Sequence, residues 1–419
     1  MLSFPVSALS SSVFSYTLSA CCTERIVLAM PPPKDIQKLI SLTQTTQTLL
    51  AHFQTSLTPS KTSTTADTSI APGDLPNGPL AAIHAATTLL KSHTTTFSLL
   101  LLTPPLTPSA LIAKIGDVSS GALSGMVAAA SYTPAPGARD DLGQIMRTEL
   151  KVQVKRLVGA WGDVLTVVLA MAESRKDLTG KDQGPSEAER KNVLERTGVV
   201  WDVCDELLKL CNGGVVELVL KKAQQLRAVL LDAVEELKEW GEDVADGDEE
   251  DEAESGAGED EFGDEDEFFG AKNKLGKDDK ELKILLDRSV KKLKMVGIMY
   301  QAVGKRRLAT FPKAAPNSAA ATEALAADMS SLNINGGAAY ETPAQRLDRL
   351  VQLLKDIPDT VDELAEAFYD LEQEEAEAEL EKVCDKAKSA VALVKKSWTG
   401  TDDEFTAWST KWIEALDAA

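Results

Sequence analysis

Residues 140–171 read DDLGQIMRTELKVQVKRLVGAWGDVLTVVLAM. Leu150, Val154, Leu157, Val158, Trp161, Leu165 and Val168 recur at intervals of three and four, which is the period of one helical face. Lys151, Lys155, Arg156 and Asp163 fill the intervals, so the segment is amphipathic and must bury its stripe against another element. The same period recurs outward in both directions. Downstream, Glu187 to Leu210 carries Val193, Leu194, Val200, Trp201, Cys204, Leu207 and Leu208, and Asn212-Gly213-Gly214 ends it before Val215 to Trp240. Trp201 is expected to be a buried packing residue. Upstream, Lys34 to Leu57 places Ile36, Leu39, Ile40, Leu49, Leu50, Phe53 and Leu57 largely on one face. Pro79 opens a further helix with Leu89, Leu90, Phe97 and Leu99 to Leu101, stopped by Thr103-Pro104-Pro105. Thr107-Pro108 sets a capping residue before a proline at the first helical position. The next helix, with Leu111, Ile112, Ile115, Val118, Leu123 and Val127, contains Ser, Gly and Ala that permit close helix contact.

Beyond residue 280, Leu282, Leu285, Leu286, Leu293, Val296, Tyr300 and Val303 continue the pattern. Leu347 to Leu354 start another helix, and Pro358 starts or kinks the next, with Val361, Leu364, Phe368 and Leu371. Glu372 to Lys396 is heavily charged and should lie outside or be half packed. Thr401 to Glu404 resembles a capping box before Phe405, Trp408, Trp412 and Leu416. The whole reads as about six helices and then four by pattern. Few aromatic residues, 5%, and an Ala/Leu/Glu/Lys-rich composition argue against sheets. The expected fold is all-α: two antiparallel helical bundles joined by an acidic connector.

That connector is EDVADGDEEDEAESGAGEDEFGDEDE, Glu242 to Glu267, with sixteen Asp and Glu and no Lys or Arg, in a chain whose net charge is −21. It has almost nothing apolar to bury and should stay solvated and extended. The expected organisation is a disordered or mispredicted extension at 1–33, an N-terminal bundle at 34–241, the acidic linker at 242–280, and a C-terminal helical domain at 281–419 with a mobile insert at 312–342. The run repels phosphate backbones, which argues against direct nucleic-acid binding. A basic partner is its natural counterpart, with Glu249, Glu250, Asp251, Glu252, Asp264 and Glu265 as candidate contacts. A solubilising spacer is the plainer reading.

The remaining features exclude more than they assign. No run of about eighteen apolar residues marks a membrane span. Residues 1–29 lack the basic start of a secretory signal and the arginines of a transit peptide, and Met30 before PPPKDIQKLI reads like a natural beginning. The cysteines Cys21, Cys22, Cys204, Cys211 and Cys384 lack paired spacing, so a reducing compartment fits and Cys204 and Cys211 read as small buried hydrophobes. His52, His84 and His93 have no ligand spacing. No phosphate loop, HExxH, CxxC or GxSxG occurs. No catalytic, cofactor or metal residue is assigned, and a non-enzymatic protein is expected. Lys305-Arg306-Arg307 reads as a solvated helix end or part of a nuclear import signal. Leu230 and Leu237 are heptad-spaced, but the series is too short for a coiled coil.

Two stretches carry a resemblance: KSHTTTFSLLLLTPPLTPSA (Lys91 to Ala110) and TGVVWDVCDEL (Thr197 to Leu207). With the order of helices, acidic connector and helices, they resemble the cyclin-D-binding protein family (GCIP, the adaptor-and-cyclin-D-interacting protein), of which this would be a fungal-like or divergent member. The likeness runs from about Lys34 to the C-terminus; residues 1–29 and the 312–342 insert have no counterpart in it. It implies an all-helical protein loosely like vinculin. It also implies a regulator in nucleus and cytoplasm that binds cyclin or helix-loop-helix partners and restrains cell-cycle progression. The alternative class is a cytoskeletal or membrane-associated helical-bundle adaptor, for which the acidic charge predicts no binding to anionic vesicles.

Overall fold

In the computed structural model the described residues are 33–58, 78–134, 140, 142–176, 184–242, 274–276, 279–312 and 342–419. Among them there is no strand, and the fold is all-α. The N-terminal helices are α1 (Pro33–Ser56), α2 (Gly78–Leu102), α3 (Pro108–Gly116), α4 (Ser124–Ala130), α5 (Gly143–Ser174) and α6 (Glu187–Glu242). A π-helical turn, Asp117–Leu123, links α3 to α4. After the acidic run come α7 (Lys280–Ala302), α8 (Pro343–Tyr369), α9 (Gln373–Leu393) and α10 (Glu404–Ala418).

The 140–171 stretch becomes α5, and every residue of its stripe is buried, Trp161 completely. It packs on α1 on one side and α6 on the other. By length and composition alone α5 is apolar enough to cross a membrane, although charged residues interrupt its apolar run. Its buried stripe is already occupied by the bundle. α6 bends where the sequence places two glycines: Gly214 has φ of +64°, a conformation that costs glycine little. The arm before the bend packs on α2 and α5, and the arm after it receives α7 and α8. Arg227 donates from Nε to the Gly297 carbonyl at 2.9 Å, and Trp240 stacks obliquely on Phe368 and meets Tyr369 edge-on. Helices that follow the acidic run therefore lie against helices that precede it. The buried apolar residues form one contiguous cluster, from Ile36 on α1 to Leu416 on α10.

Several local expectations shift. Leu49, Leu89, Leu99 and Leu194 are exposed, because each sits beside the buried stripe of its helix. Trp201 is half-buried and stands outside the main core, at the edge of the Val200–Cys204–Leu207 face. Gly116, Gly121 and Gly125 face open space, so they do not mediate close helix contact; Ser119 and Ala122 turn inward instead. α8 runs unbroken through Pro358. The charged segment after Glu372 buries a full face, with Ala376, Leu380, Val383, Ala387 and Val391 against α8. The capping box of α10 is Asp403 with Thr406, two residues later than read from sequence. Thr107 precedes Pro108 as expected, although its side chain makes no capping bond.

Candidate protein-interaction surface

The two stretches quoted above, separated by about ninety residues of chain, meet in space. Lys91 to Ala110 spans the end of α2 and the start of α3, and Thr197 to Leu207 lies on the first arm of α6, which packs along α2. Their buried polar groups are satisfied inside each helix. Thr94 donates to the Leu90 carbonyl at 2.9 Å and Thr197 to the Val193 carbonyl at 2.7 Å, so both threonines can sit fully buried among apolar side chains. Phe97 is wholly buried with its ring 5.2 Å from Trp161. Across the helix pair, Lys91 meets Asp205 at 2.5 Å, a half-exposed pair that fixes register more than it adds stability.

What this packing leaves outside is an apolar edge. Leu99 is 60% exposed. With Thr96, Leu100, Thr103, Pro104, Pro105 and Thr107 it lines an open groove of about 260 Å³ where α2 gives way to α3. The lining is rigid in kind: a helix end, two adjacent prolines and a threonine that leads into Pro108. Sequence reasoning counts Leu99 to Leu101 among the apolar residues of this helix without assigning a face, because a run of four leucines from Leu99 to Leu102 carries no phase. Only Leu101 of the four is fully buried.

A second corner gathers the aromatic residues of the C-terminal helices. Arg307, expected at a solvated helix end, is completely buried. Its guanidinium donates to both carboxylate oxygens of Asp403, at 2.6 and 2.9 Å, and to the Lys395 carbonyl at 2.8 Å. It also lies 4.6 Å from the centre of the Phe405 ring. Hydrogen bonding from Arg307 holds the Asp403 carboxyl down at about 2, below the usual carboxylate range. Lys305 and Arg306 stay exposed, Arg306 over the Trp408 ring. Trp412 is buried and donates to the Met295 carbonyl, while Trp408 is half-buried beside it. The corner is a structural lock that leaves part of Trp408 and the cations of Lys305 and Arg306 outside.

The groups able to do chemistry are dispersed or quenched. Burial pushes the thiols of Cys204 and Cys211 up to about 12 and raises that of Cys384, so none is a ready nucleophile or metal ligand at neutral pH. His52, His84 and His93 are exposed or half-buried on α1 and α2. Among the described residues no three His, Cys, Asp or Glu come together as metal ligands would. Cys21, Cys22 and the six candidate contacts Glu249, Glu250, Asp251, Glu252, Asp264 and Glu265 lie outside the described residues.

Comparison with known proteins bears on the surface just described. Residues 82–243, from α2 to the end of α6, match the family model described as Grap2 and cyclin-D-interacting, N-terminal. An uncharacterized protein of Schizosaccharomyces pombe is 22% identical over 348 residues, covering 82% of this chain and 85% of its own length. The family match contains both quoted stretches, the groove at Leu99 and both arms of α6.

Proposed function

We propose that this chain, which carries the N-terminal domain of the Grap2 and cyclin-D-interacting family in residues 82–243, is a non-catalytic adaptor that binds a D-type cyclin or a helix-loop-helix regulator and restrains cell-cycle progression in nucleus and cytoplasm. The observation that carries the reading is the family domain itself, which supplies the α2–α6 pair and leaves the Leu99 edge uncovered. An apolar edge on rigid backbone is a natural seat for a partner helix, which inserts side chains at helical spacing. The scattered carboxylates and quenched thiols are consistent with an adaptor. The test is capture of purified D-type cyclin by the full chain, read beside the Leu99→Glu variant. Leu99 is exposed, so that variant should melt like the parent yet bind cyclin at least about tenfold more weakly, the loss expected when a central apolar contact is replaced by a charge. Purification from cells that recovers neither a cyclin nor a transcription regulator would count against the proposal. Imaging or fractionation that finds the protein confined to another compartment would count against its location.

A further inference from the structure

The surface with the clearest unmet chemistry is on α7, outside the residues that match the family model. Residues 280–307 hold nine Lys and Arg against two carboxylates, in a chain of net charge −21. Lys280, Ile284, Asp287, Lys291, Lys294 and Ile298 follow one another at spacings of four, three, four, three and four, the repeat of a coiled-coil seam. All six are exposed, Ile284 at 68% and Ile298 at 52%. The opposite face of α7, from Leu282 to Tyr300, is buried in the bundle, so the helix cannot turn its seam inward. None of Lys280, Lys291 and Lys294 forms an ion pair among the described residues, whereas Arg288, off the seam, reaches Glu377 on α9 at 3.5 Å. Carboxylates thus bound the seam on the α9 side, and they do so on the α6 side as well. There a Cβ on Gly297 would stand 3.1 Å from Leu231. The Glu235 carboxyl on α6 is held below its usual range, first by its hydrogen bond with Lys238 and also by Lys294 of the seam.

This pattern selects among ligands. A lipid headgroup layer or a nucleic acid presents phosphates over an area broader than one helix, and would press them on the flanking carboxylates as well as on the lysines. A single helix, about 10 Å across, covers the seam alone. The two bare isoleucines call for apolar partners, which a purely ionic ligand lacks. We propose that α7 docks an α-helix of another protein along the Lys280–Ile298 seam, side by side as in a coiled coil. The chemistry of that helix follows from the seam it must match. Ile284 and Ile298 are two heptads apart, about 21 Å along a helix, so the partner carries apolar residues at the same separation. Between them it carries Glu or Asp opposite Lys291 and Lys294 and a cation opposite Asp287. Its flanks are basic, facing Glu235 and Glu377. Like charges at any of these positions oppose docking, so the seam distinguishes this helix from one that is merely acidic. The proposal concerns a surface other than the Leu99 edge and does not rest on cyclin binding.

The experiment uses the full chain and fluorescent helical peptides. The probe has Leu at two positions two heptads apart, Glu at the seam positions that face Lys291 and Lys294, Lys opposite Asp287 and on both flanks, and Ala elsewhere. It is made in both seam orders, for parallel and antiparallel docking. A control of the same composition places these residues off the seven-residue repeat. By fluorescence anisotropy one probe should bind the full chain one to one, at least about tenfold more tightly than the control. Ile284→Ser with Ile298→Ser should weaken it at least about tenfold, with the helical circular dichroism unchanged because both side chains are exposed. Lys291→Glu with Lys294→Glu should abolish binding. A probe with Lys at the two matching positions should then bind that variant at least about tenfold more tightly than it binds the unaltered chain. Leu99→Glu should change nothing. Equal affinity for probe and control, no binding of either seam order, indifference to the isoleucine pair or failure of the charge exchange would overturn the proposal. Loss of binding in Leu99→Glu would place the peptide at the α2 groove and overturn it too. So would binding of the unaltered chain to phosphatidylserine vesicles or duplex DNA that is lost in Lys291→Glu with Lys294→Glu, which would assign the seam to a phosphate surface.

Discussion

Asp348 on α8 accepts the backbone N–H of Gln144 at 2.7 Å, across 204 residues of sequence, and that of Ile145 at 2.8 Å. The first N–H groups of a helix have no partner within it, and here those of α5 are met by a carboxylate from beyond the acidic run. Asp140 takes the two N–H groups before them, those of Leu142 and Gly143. Gly143 is required twice over: its φ is +70°, and a Cβ there would stand 2.9 Å from the Asp348 carboxylate. A negative group at this end also meets the helix dipole. Asp348→Ala should lower stability by about 1 kcal/mol, as loss of a cap does, and Asp348→Asn by less. Urea unfolding followed by circular dichroism checks both. An unchanged midpoint for Asp348→Ala would mean that the cap is not formed in solution.

The cap and the packing of α7 and α8 on α6 bear on cleavage. A specific protease site placed within residues 253–258 should be cut without separating the products, since α6 precedes the cut and α7 to α10 follow it. The fragments should elute together on size exclusion and part only in denaturant. Independent elution under native conditions would mean that the Asp348–Gln144 and Trp240–Phe368 contacts do not hold the parts together.

The helices were legible in sequence because their stripes keep phase over many turns. The 140–171 stretch is the clearest case, and all seven of its predicted stripe residues are buried. What was not legible falls into three kinds. A run such as Leu99 to Leu102 has no phase, so the exposed member that lines the groove could not be picked out. A charge in a basic cluster is normally solvated, so the burial of Arg307 depends on Asp403, 96 residues away. The capping of α5 by Asp348 is also a long-range pairing, which no local pattern encodes. The family resemblance marked the α2 and α6 stretches, and the structure adds that they touch.

Trp161 on α5 and Trp201 on α6 make a paired test. Trp161 is wholly buried against Phe97, whereas Trp201 is half-buried at the edge of its stripe. Trp161→Ala should destabilise by about 3–5 kcal/mol, the cost of emptying a core site of that size. Trp201→Ala should cost roughly 1 kcal/mol, in line with partial burial. Thermal melting of the two variants checks the order. Equal losses would place Trp201 in the core after all.

The lock between Arg307 and Asp403 gives a pH signature. Asp403 is held at about 2 in the folded chain, against an ordinary 3.8, by the Arg307 guanidinium. A carboxyl with a lowered folded value binds protons more readily when unfolded, so it contributes stability above pH 4 and loses it as pH falls from about 4 to about 2. Asp403→Asn should therefore reduce stability at pH 7 and flatten its decline across that window. Asp403→Ala should cost more, because it leaves a fully buried guanidinium without its counter-ion and removes the cap of α10. Breaking a fully buried pair costs roughly 3–5 kcal/mol. Asp403 is 34% exposed, so water screens part of the loss and roughly 2–3 kcal/mol is expected. Urea unfolding of parent and Asp403→Asn at pH 2.5, 4 and 7 separates the cases. Parallel pH profiles for the two proteins would show that the pair contributes no pH-dependent stability.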